Sequence, residues 1–245
     1  MPTQRLDAID ALRGFALVWM VLFHFCFDLN HFGYWKQDFY NDVFWTGQRT
    51  VILSLFLLCA GLGQAMALHQ GQSWPRFWRR WGQITLCALL VSLGSWFMFP
   101  RSFVYFGVLH AIAVMLVLVR CSAPLGNWLW LLGALAIGAK FVAAALLADS
   151  SLAVAFNGRA LNWLGFITRK PITEDYVPLF PWIGVMWWGM AAGNWLLAHR
   201  SQLLAWSPRR LGRPLVWLGR WSLTVYMVHQ PLLIGALSAV GLARS

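Results

Sequence analysis

Long apolar stretches alternate along the whole chain with short segments that carry proline, glycine and charge. A helix needs about 20 mostly apolar residues to cross the hydrocarbon core of a bilayer. By this criterion the pattern predicts about seven membrane-spanning helices. They lie over approximately 13–31, 50–68, 81–99, 103–119, 128–147, 178–198 and 215–241. The predicted fold is an all-α polytopic membrane helix bundle, with 1–245 forming a single membrane-embedded domain.

The amino-acid composition supports a membrane location and argues against nucleic acid as a partner. Of the 245 residues, 60% are hydrophobic and only 11% are charged, which is more apolar surface than a soluble domain of this length needs. The formal net charge is +11, but the basic residues lie in short segments between apolar spans. No soluble domain is left to carry a nucleic-acid surface, so the lipid bilayer is the expected partner.

The distribution of Lys and Arg predicts how the chain is oriented in the membrane. Of the 19 basic residues, eleven fall on the side of the N-terminus, seven on the other side, and Lys140 lies within a span. Since the excess marks the cytoplasmic side, the N-terminus is predicted to be cytoplasmic. Two longer outer segments, about 32–48 and 149–177, then combine aromatic residues with Asp, Asn and Arg, which suits a sugar or other polyhydroxyl ligand.

The first predicted span carries four ionisable residues on one face. The eleven-residue step from Arg13 to His24 returns to within roughly 20° of the same helix face, and Asp28 and His31 follow at spacings of four and three. Ionisable groups at membrane depth are costly and by default mark a functional site. We expect His24 to accept a proton, Asp28 to orient its imidazole, and Arg13 to contact a phosphate-bearing ligand at the cytoplasmic end.

Each of these residues also has a structural interpretation. His24 and Asp28 can instead form a hydrogen bond between helices, and Asp28 can pair with Lys36 or Arg49. Arg13 can anchor the helix by reaching the lipid headgroups. The depth of His24 and the face that it shares with Arg13 favour the functional interpretation.

A second group of polar residues lies in the later spans. Tyr226 and His229 share a face of the last span, and His110 lies in the fourth; with His31 they are candidates on the acceptor side, although interhelical hydrogen bonds explain them equally well. The sequence has no phosphate-binding glycine loop and no metal-ligand spacing, so neither ATP, a dinucleotide nor a metal is expected. Arginines of the predicted inner loops suit a polyphosphate, although a cytoplasmic location alone would also account for them. They are Arg76, Arg79, Arg80, Arg209, Arg210 and Arg213.

Four segments, in order, resemble the integral-membrane acyltransferases, and among them bacterial members of the heparan-α-glucosaminide N-acetyltransferase catalytic-domain family. They are 9–24 (IDALRGFALVWMVLFH), 106–113 (FGVLHAIA), 178–184 (PLFPWIG) and 218–231 (LGRWSLTVYMVHQP). The resemblance implies a multi-pass enzyme of the bacterial inner membrane that takes an acyl group, in the simplest case acetyl, from cytosolic acyl-CoA. It also implies that a sugar or glycan receives this group across the membrane.

The resemblance also bears on individual residues. A related family that acylates bacterial surface polysaccharides has an Arg, ten residues and then a His in its first helix, and Arg13 and His24 match this spacing. The chain departs from the animal members of the first family, which have Asn at the position of His24 and a proposed catalytic His further along. Trp35 stands at roughly that place, and His31 is an approximate substitute. The cytoplasmic arginines would hold the CoA phosphates, with His24 as base or acyl carrier.

Two other functions fit the same residues. A proton-coupled transporter or flippase could use the buried polar stripe to relay protons or bind a solute, although an odd number of spans without an internal repeat argues mildly against it. A non-catalytic assembly subunit would tolerate apolar replacements along the stripe. The sequence leaves open the acceptor, the acyl chain and whether the chain forms a homo-oligomer.

Overall fold

The computed structural model describes residues 6–206 and 210–242, and the regular structure in these ranges is helical apart from one isolated bridge between Phe106 and Tyr176. The predicted all-α membrane bundle is confirmed. The helices are α1 (Asp7–His31), α2 (Val43–His69), α3 (Trp74–Met98), α4 (Val108–Ser122), α5 (Trp128–Leu147), α6 (Leu152–Asn157), α7 (Leu179–His199), α8 (Ser201–Leu204), α9 (Arg213–Arg220) and α10 (Ser222–Leu242).

Six helices within the described ranges are long and apolar enough to cross a membrane, namely α1, α2, α3, α4, α5 and α10. Helix α7 covers the remaining predicted span and is 21 residues long. It is not one of the six. The number of about seven spans and the cytoplasmic N-terminus stay predictions.

Several helices extend beyond the apolar stretches that predicted them. Helix α1 begins at Asp7 instead of 13, α2 at Val43 instead of 50, and α3 at Trp74 instead of 81, whereas α5 matches its predicted bounds. A helix can continue into the headgroup region because its backbone groups stay paired there while its polar side chains reach water. As a result Arg76, Arg79 and Arg80 lie in the first turns of α3, and their placement in a loop was wrong.

The fourth predicted span is wrong at its start, and the last predicted span consists of two helices. Residues 103–107 are not helical, and Phe106 forms an isolated bridge with Tyr176. The backbone N–H of Val177 donates to the Phe106 carbonyl at 3.3 Å, and Thr173 Oγ1 donates to the Phe103 carbonyl at 2.9 Å. Helix α4 begins only at Val108, whose N–H donates to Asp175 Oδ2 at 2.7 Å. The last predicted span, 215–241, breaks at Trp221 into α9 and α10.

The chain divides into two compact units, which we call central and terminal. The central unit is Leu57–His199, and the terminal unit comprises the described residues of Gln4–Phe56 and Arg200–Ser245. The boundary falls inside α2. This division does not decide the prediction of a single domain over 1–245.

In the terminal unit, α1 packs against α9 and α10. Two glycines allow α1 and α9 to approach closely: a Cβ on Gly14 would collide with the Leu215 carbonyl, and a Cβ on Gly219 with the Asp10 carbonyl. Small residues at helix contacts are typical of membrane proteins, where backbones pack closely without a hydrophobic driving force. The core beside this contact consists of Leu17, Met20, Phe23, Phe39, Trp45 and Ile52.

In the central unit, α4 packs against α3 and α7, and α5 packs against α7. Gly133 and Gly184 face each other across the contact between α5 and α7. Tryptophan side chains tie neighbouring helices, since Trp188 Nε1 donates to the Trp130 carbonyl and Trp81 Nε1 to the Ala113 carbonyl, both at 2.9 Å. A buried indole N–H needs such an acceptor.

Candidate active site

The imidazole of His24 is held by an amide from another helix of the terminal unit. His24 Nδ1 lies 3.0 Å from Gln230 Oε1, which joins α1 to α10. Since an amide oxygen can only accept, Nδ1 carries the hydrogen. The lone pair of the neutral ring is therefore on Nε2, which has no hydrogen-bond partner among the described residues. A nitrogen in this state can accept a proton or attack an electrophile.

Asp28 acts on His24 through Gln230. Gln230 Nε2 donates to Asp28 Oδ1 at 2.8 Å, so the three side chains form a chain of hydrogen bonds from carboxylate to amide to imidazole. The predicted direct contact between Asp28 and His24 is replaced by this amide. Asp28 is only 3% exposed, and within the described residues its Oδ2 has no partner.

Gln230 was missed in the sequence, although it lies in one of the segments that carry the family resemblance. A primary amide inside an apolar span is a polar group that needs partners. It also precedes Pro231, which lacks an N–H and leaves the Met227 carbonyl without its helical donor. These two signals mark the place in α10, but neither identifies His24 and Asp28 as the partners.

His229 presents a second free nitrogen beside His24. Its Nδ1 lies 2.6 Å from the carbonyl oxygen of Tyr226, so Nδ1 carries the hydrogen and Nε2 carries the lone pair. The residue is 8% exposed, and its Nε2 has no partner in the described part of the chain. The rings of His24 and His229 are perpendicular, with centroids 5.0 Å apart. Tyr226 contributes its carbonyl to this arrangement.

Arg13 and His31 lie on either side of this centre along α1. Arg13 donates to Asp10 Oδ1 at 3.0 Å, and it is about 16 Å from His24 along the helix axis at 1.5 Å per residue. Arg220 joins the same ionic cluster through Asp7 at 2.7 Å and Asp10 at 3.7 Å. His31 is exposed in the last turn of α1, with its ring edge-on to Phe32.

Trp35 lies in the segment that follows α1. Its ring packs edge-on against Trp45, with centroids 5.5 Å apart. Asp38 fixes the segment by accepting from the backbone N–H groups of Tyr40 and Asn41 at 3.0 and 2.9 Å. The hydrogen bond from the Asn41 side chain, followed by those from the two backbone N–H groups, lowers the pKa of Asp38.

His110 belongs to the central unit, and both its nitrogens are engaged. Ser92 Oγ donates to the Val104 carbonyl at 2.6 Å, so it accepts from His110 Nε2 at 3.0 Å. The backbone N–H of Gly107 donates to His110 Nδ1 at 3.3 Å. No lone pair of the ring is left, so this geometry favours a structural role at the start of α4.

The candidate arginines for donor phosphates are exposed in both units. Arg76, Arg79 and Arg80 lie at the start of α3 in the central unit, and Arg210 lies in a 3₁₀ turn before α9 in the terminal unit. Arg80 also donates to Gln83 Oε1 at 3.1 Å. Arg209 lies outside the described residues. Their role as phosphate ligands stays a prediction.

Comparison with known proteins bears on the whole arrangement. The family model described as heparan-alpha-glucosaminide N-acetyltransferase, catalytic, matches residues 5–231. This range contains His24, Asp28, His229 and Gln230. No curated protein and no solved structure matches the chain significantly.

Proposed function

Because the chain belongs to the heparan-alpha-glucosaminide N-acetyltransferase catalytic family, which implies acyltransferase activity, we propose that it transfers an acyl group, in the simplest case acetyl, from cytosolic acyl-CoA. The acceptor is a sugar or glycan at the outer face of the bacterial inner membrane. The observation that carries the proposal is the free Nε2 of His24, whose ring is anchored by Gln230 and Asp28. A transferase needs such a nitrogen to take up a proton or the acyl group.

His24 can serve the transfer in two ways. As a general base, Nε2 takes the proton of the acceptor hydroxyl or amine while the acceptor oxygen or nitrogen attacks the thioester carbonyl. The C–S bond breaks, and the CoA thiolate leaves and takes the proton back from His24. As an acyl carrier, Nε2 attacks the thioester carbonyl, the C–S bond breaks, and CoA leaves as the thiolate. The acceptor oxygen or nitrogen then attacks the acyl group and breaks its C–N bond to Nε2. The freed Nε2 takes up the acceptor proton, and solvent protonates the thiolate.

The donor would be bound through its phosphates. Exposed guanidinium groups present several donors to phosphate oxygens. Arg76, Arg79 and Arg80 form one such group on α3, and Arg210 is a further candidate. Arg13 would contact the donor only if a ligand phosphate replaces Asp10 as its partner.

The test measures acyl-CoA consumption by the purified protein, with release of the CoA thiol and acylation of an amino-sugar acceptor as readouts. His24→Gln is expected to lower the rate by about 100- to 10,000-fold, the usual contribution of a positioned base or nucleophile. His69→Gln, which changes an exposed histidine in the last turn of α2, is the matched control and retains the rate. A folded His24→Gln protein of full activity would refute the assignment.

A second measurement separates the two routes and the competing function. With acyl-labelled CoA and no acceptor, an acyl carrier retains label on His24, whereas a base retains none. If the wild-type protein releases no CoA thiol but drives solute uptake in vesicles, the polar stripe serves transport and the transferase proposal is wrong.

A further inference from the structure

Helix α9 of the terminal unit packs one face against α1 and leaves the opposite face uncovered. On the packed face, Val216 and Gly219 are buried, and a Cβ on Gly219 would collide with the Asp10 carbonyl. On the opposite face, Arg213 and Trp217 are exposed and lie one turn apart. The close contact at Gly219 fixes which side of α9 points away from α1.

The contact with α1 places α9 at the level of the lipid headgroups. Helix α1 is long and apolar enough to cross a membrane, and its charged residues Asp7, Asp10 and Arg13 precede the apolar stretch that starts at Gly14. Arg220 of α9 pairs with Asp7 Oδ1 at 2.7 Å. Such charges are costly in hydrocarbon and belong among hydrated headgroups. Helix α9 therefore lies in the headgroup layer on the side of the N-terminus.

The side chains on the exposed face of α9 carry hydrogen-bond donors and no acceptor. They are Arg213, Trp217, Arg220 and Trp221, the last of which ends the helix. Among the described residues, Arg213 has no hydrogen bond or ion pair, and the indole N–H groups of Trp217 and Trp221 have no acceptor. The guanidinium and the two indoles are therefore available to a ligand that supplies acceptors.

The segment that contains α8 and α9 exposes large apolar side chains although neither helix is long enough to cross a membrane. The exposed fractions are 60% for Leu203, 57% for Trp206, 59% for Trp217 and 54% for Trp221. Tryptophan beside arginine is typical of a segment that lies along a membrane surface, because the ring reaches the lipid chains while the N–H stays in the polar layer. This surface suits a ligand that combines an anion with hydrocarbon.

We propose that the exposed face of α9 binds the headgroup of an anionic phospholipid, with the lipid phosphate on Arg213 and the Trp217 N–H and the lipid chains against the indole rings. A guanidinium donates two parallel N–H groups to phosphate oxygens. The side of the N-terminus is the predicted cytoplasmic side, where the membrane surface carries a negative potential. This proposal does not depend on the proposed transferase function.

The test is native mass spectrometry of the whole protein in neutral detergent, with equal amounts of phosphatidylglycerol and phosphatidylcholine that have the same chains. The wild-type protein is expected to retain phosphatidylglycerol at least about fivefold more strongly, the contribution of one basic residue near an anionic surface. Arg213→Gln is expected to lower this preference by about the same factor. Trp217→Phe keeps a ring without the N–H and is expected to lower it about twofold.

Three controls keep the result interpretable. Arg200→Gln removes an exposed arginine at the start of α8 in the same unit and is expected to retain the preference. Arg213→Lys keeps the charge without the planar fork and is expected to keep only part of the preference. Free CoA, added in excess, is expected to leave phosphatidylglycerol bound. Thermal unfolding in the same detergent confirms that each variant is folded.

Four outcomes overturn the proposal. The first is equal retention of both lipids by the wild-type protein, and the second is an unchanged preference in Arg213→Gln. The third is an equal loss in Arg200→Gln and Arg213→Gln, which would show a general attraction to the basic surface instead of a site on α9. The fourth is displacement of phosphatidylglycerol by CoA, in which case Arg213 binds the phosphate of a soluble ligand.

Discussion

His24 in the terminal unit and His110 in the central unit look alike in the sequence but differ in the nitrogen that remains available. Each lies in an apolar helix and has a polar side-chain partner at 3.0 Å, Gln230 for His24 and Ser92 for His110. Gln230 accepts a hydrogen bond from His24 Nδ1, which leaves His24 Nε2 free. His110 donates to Ser92 through Nε2 and accepts from Gly107 at Nδ1, so nothing is left for chemistry.

The difference teaches that a histidine in a membrane span is not by itself a sign of catalysis. The direction of its hydrogen bonds decides whether the ring only stabilises the start of a helix, as His110 does, or keeps a free nitrogen that can act as a base, as His24 does. A serine next to a histidine is likewise no nucleophile when, as for Ser92, its hydrogen is donated to a carbonyl and the histidine donates to it.

The largest effect is expected at the amide that distinguishes His24. Gln230→Leu removes the acceptor at Nδ1, so the ring is no longer held in one tautomer, and the acyl-transfer rate is expected to fall about 100-fold with little change in KM. Gln48→Leu is the matched control, because Gln48 accepts from Trp19 in the same unit and has no role at His24. A Gln230→Leu enzyme with the wild-type rate would remove the distinction between the two histidines.

The next effect concerns the helix contact that supports α1. Gly14→Ala places a methyl group against the Leu215 backbone and is expected to lower the free energy of unfolding by about 3 kcal/mol, the upper range for overpacking, because backbone cannot easily give way. Denaturant unfolding in detergent measures the change. Gly235→Ala in α10 has open space around its Cβ and serves as the control. Equal stability of both variants would contradict the close approach of α1 and α9.

A smaller effect is expected at the other histidine. His110→Phe leaves the Gly107 N–H and the Ser92 hydroxyl without their partner and is expected to cost about 1–2 kcal/mol of stability. The acyl-transfer rate per folded molecule stays unchanged, which separates this residue from His24. A rate loss without a change in unfolding would instead place His110 in the reaction.

The smallest effect is expected in the segment that follows the helix of His24. The pKa of Asp38 is lowered in the folded protein by hydrogen bonds from Asn41 and Tyr40. Its stabilising contribution is therefore present above the unfolded pKa of about 3.9 and is lost as the pH falls through the folded value. Wild type should have a slightly higher Tm than Asp38→Ala at pH 7, and the two should converge in acid. A difference that persists in acid contradicts this.

Periodicity predicted the helices and the polar face of α1, because spacing along a single helix fixes which residues share a face. The start of α4 was missed because it depends on Asp175, which is 67 positions from Val108 and leaves no local pattern. Gln230 was missed for the same reason, since its partners His24 and Asp28 lie more than 200 positions away. The hydrogen-bond direction at His110 likewise depends on the fold of residues 104–107.

The free atoms around His24 also define what an inhibitor of this site must look like. His24 Nε2, His229 Nε2 and Asp28 Oδ2 are all acceptors, and none has a donor from the described residues. A compound that offers only carbonyl or ether oxygens would bring further acceptors to these atoms and no hydrogen for them to accept. A compound designed to bind these side chains must therefore offer N–H donors, as an ammonium or amidine head does.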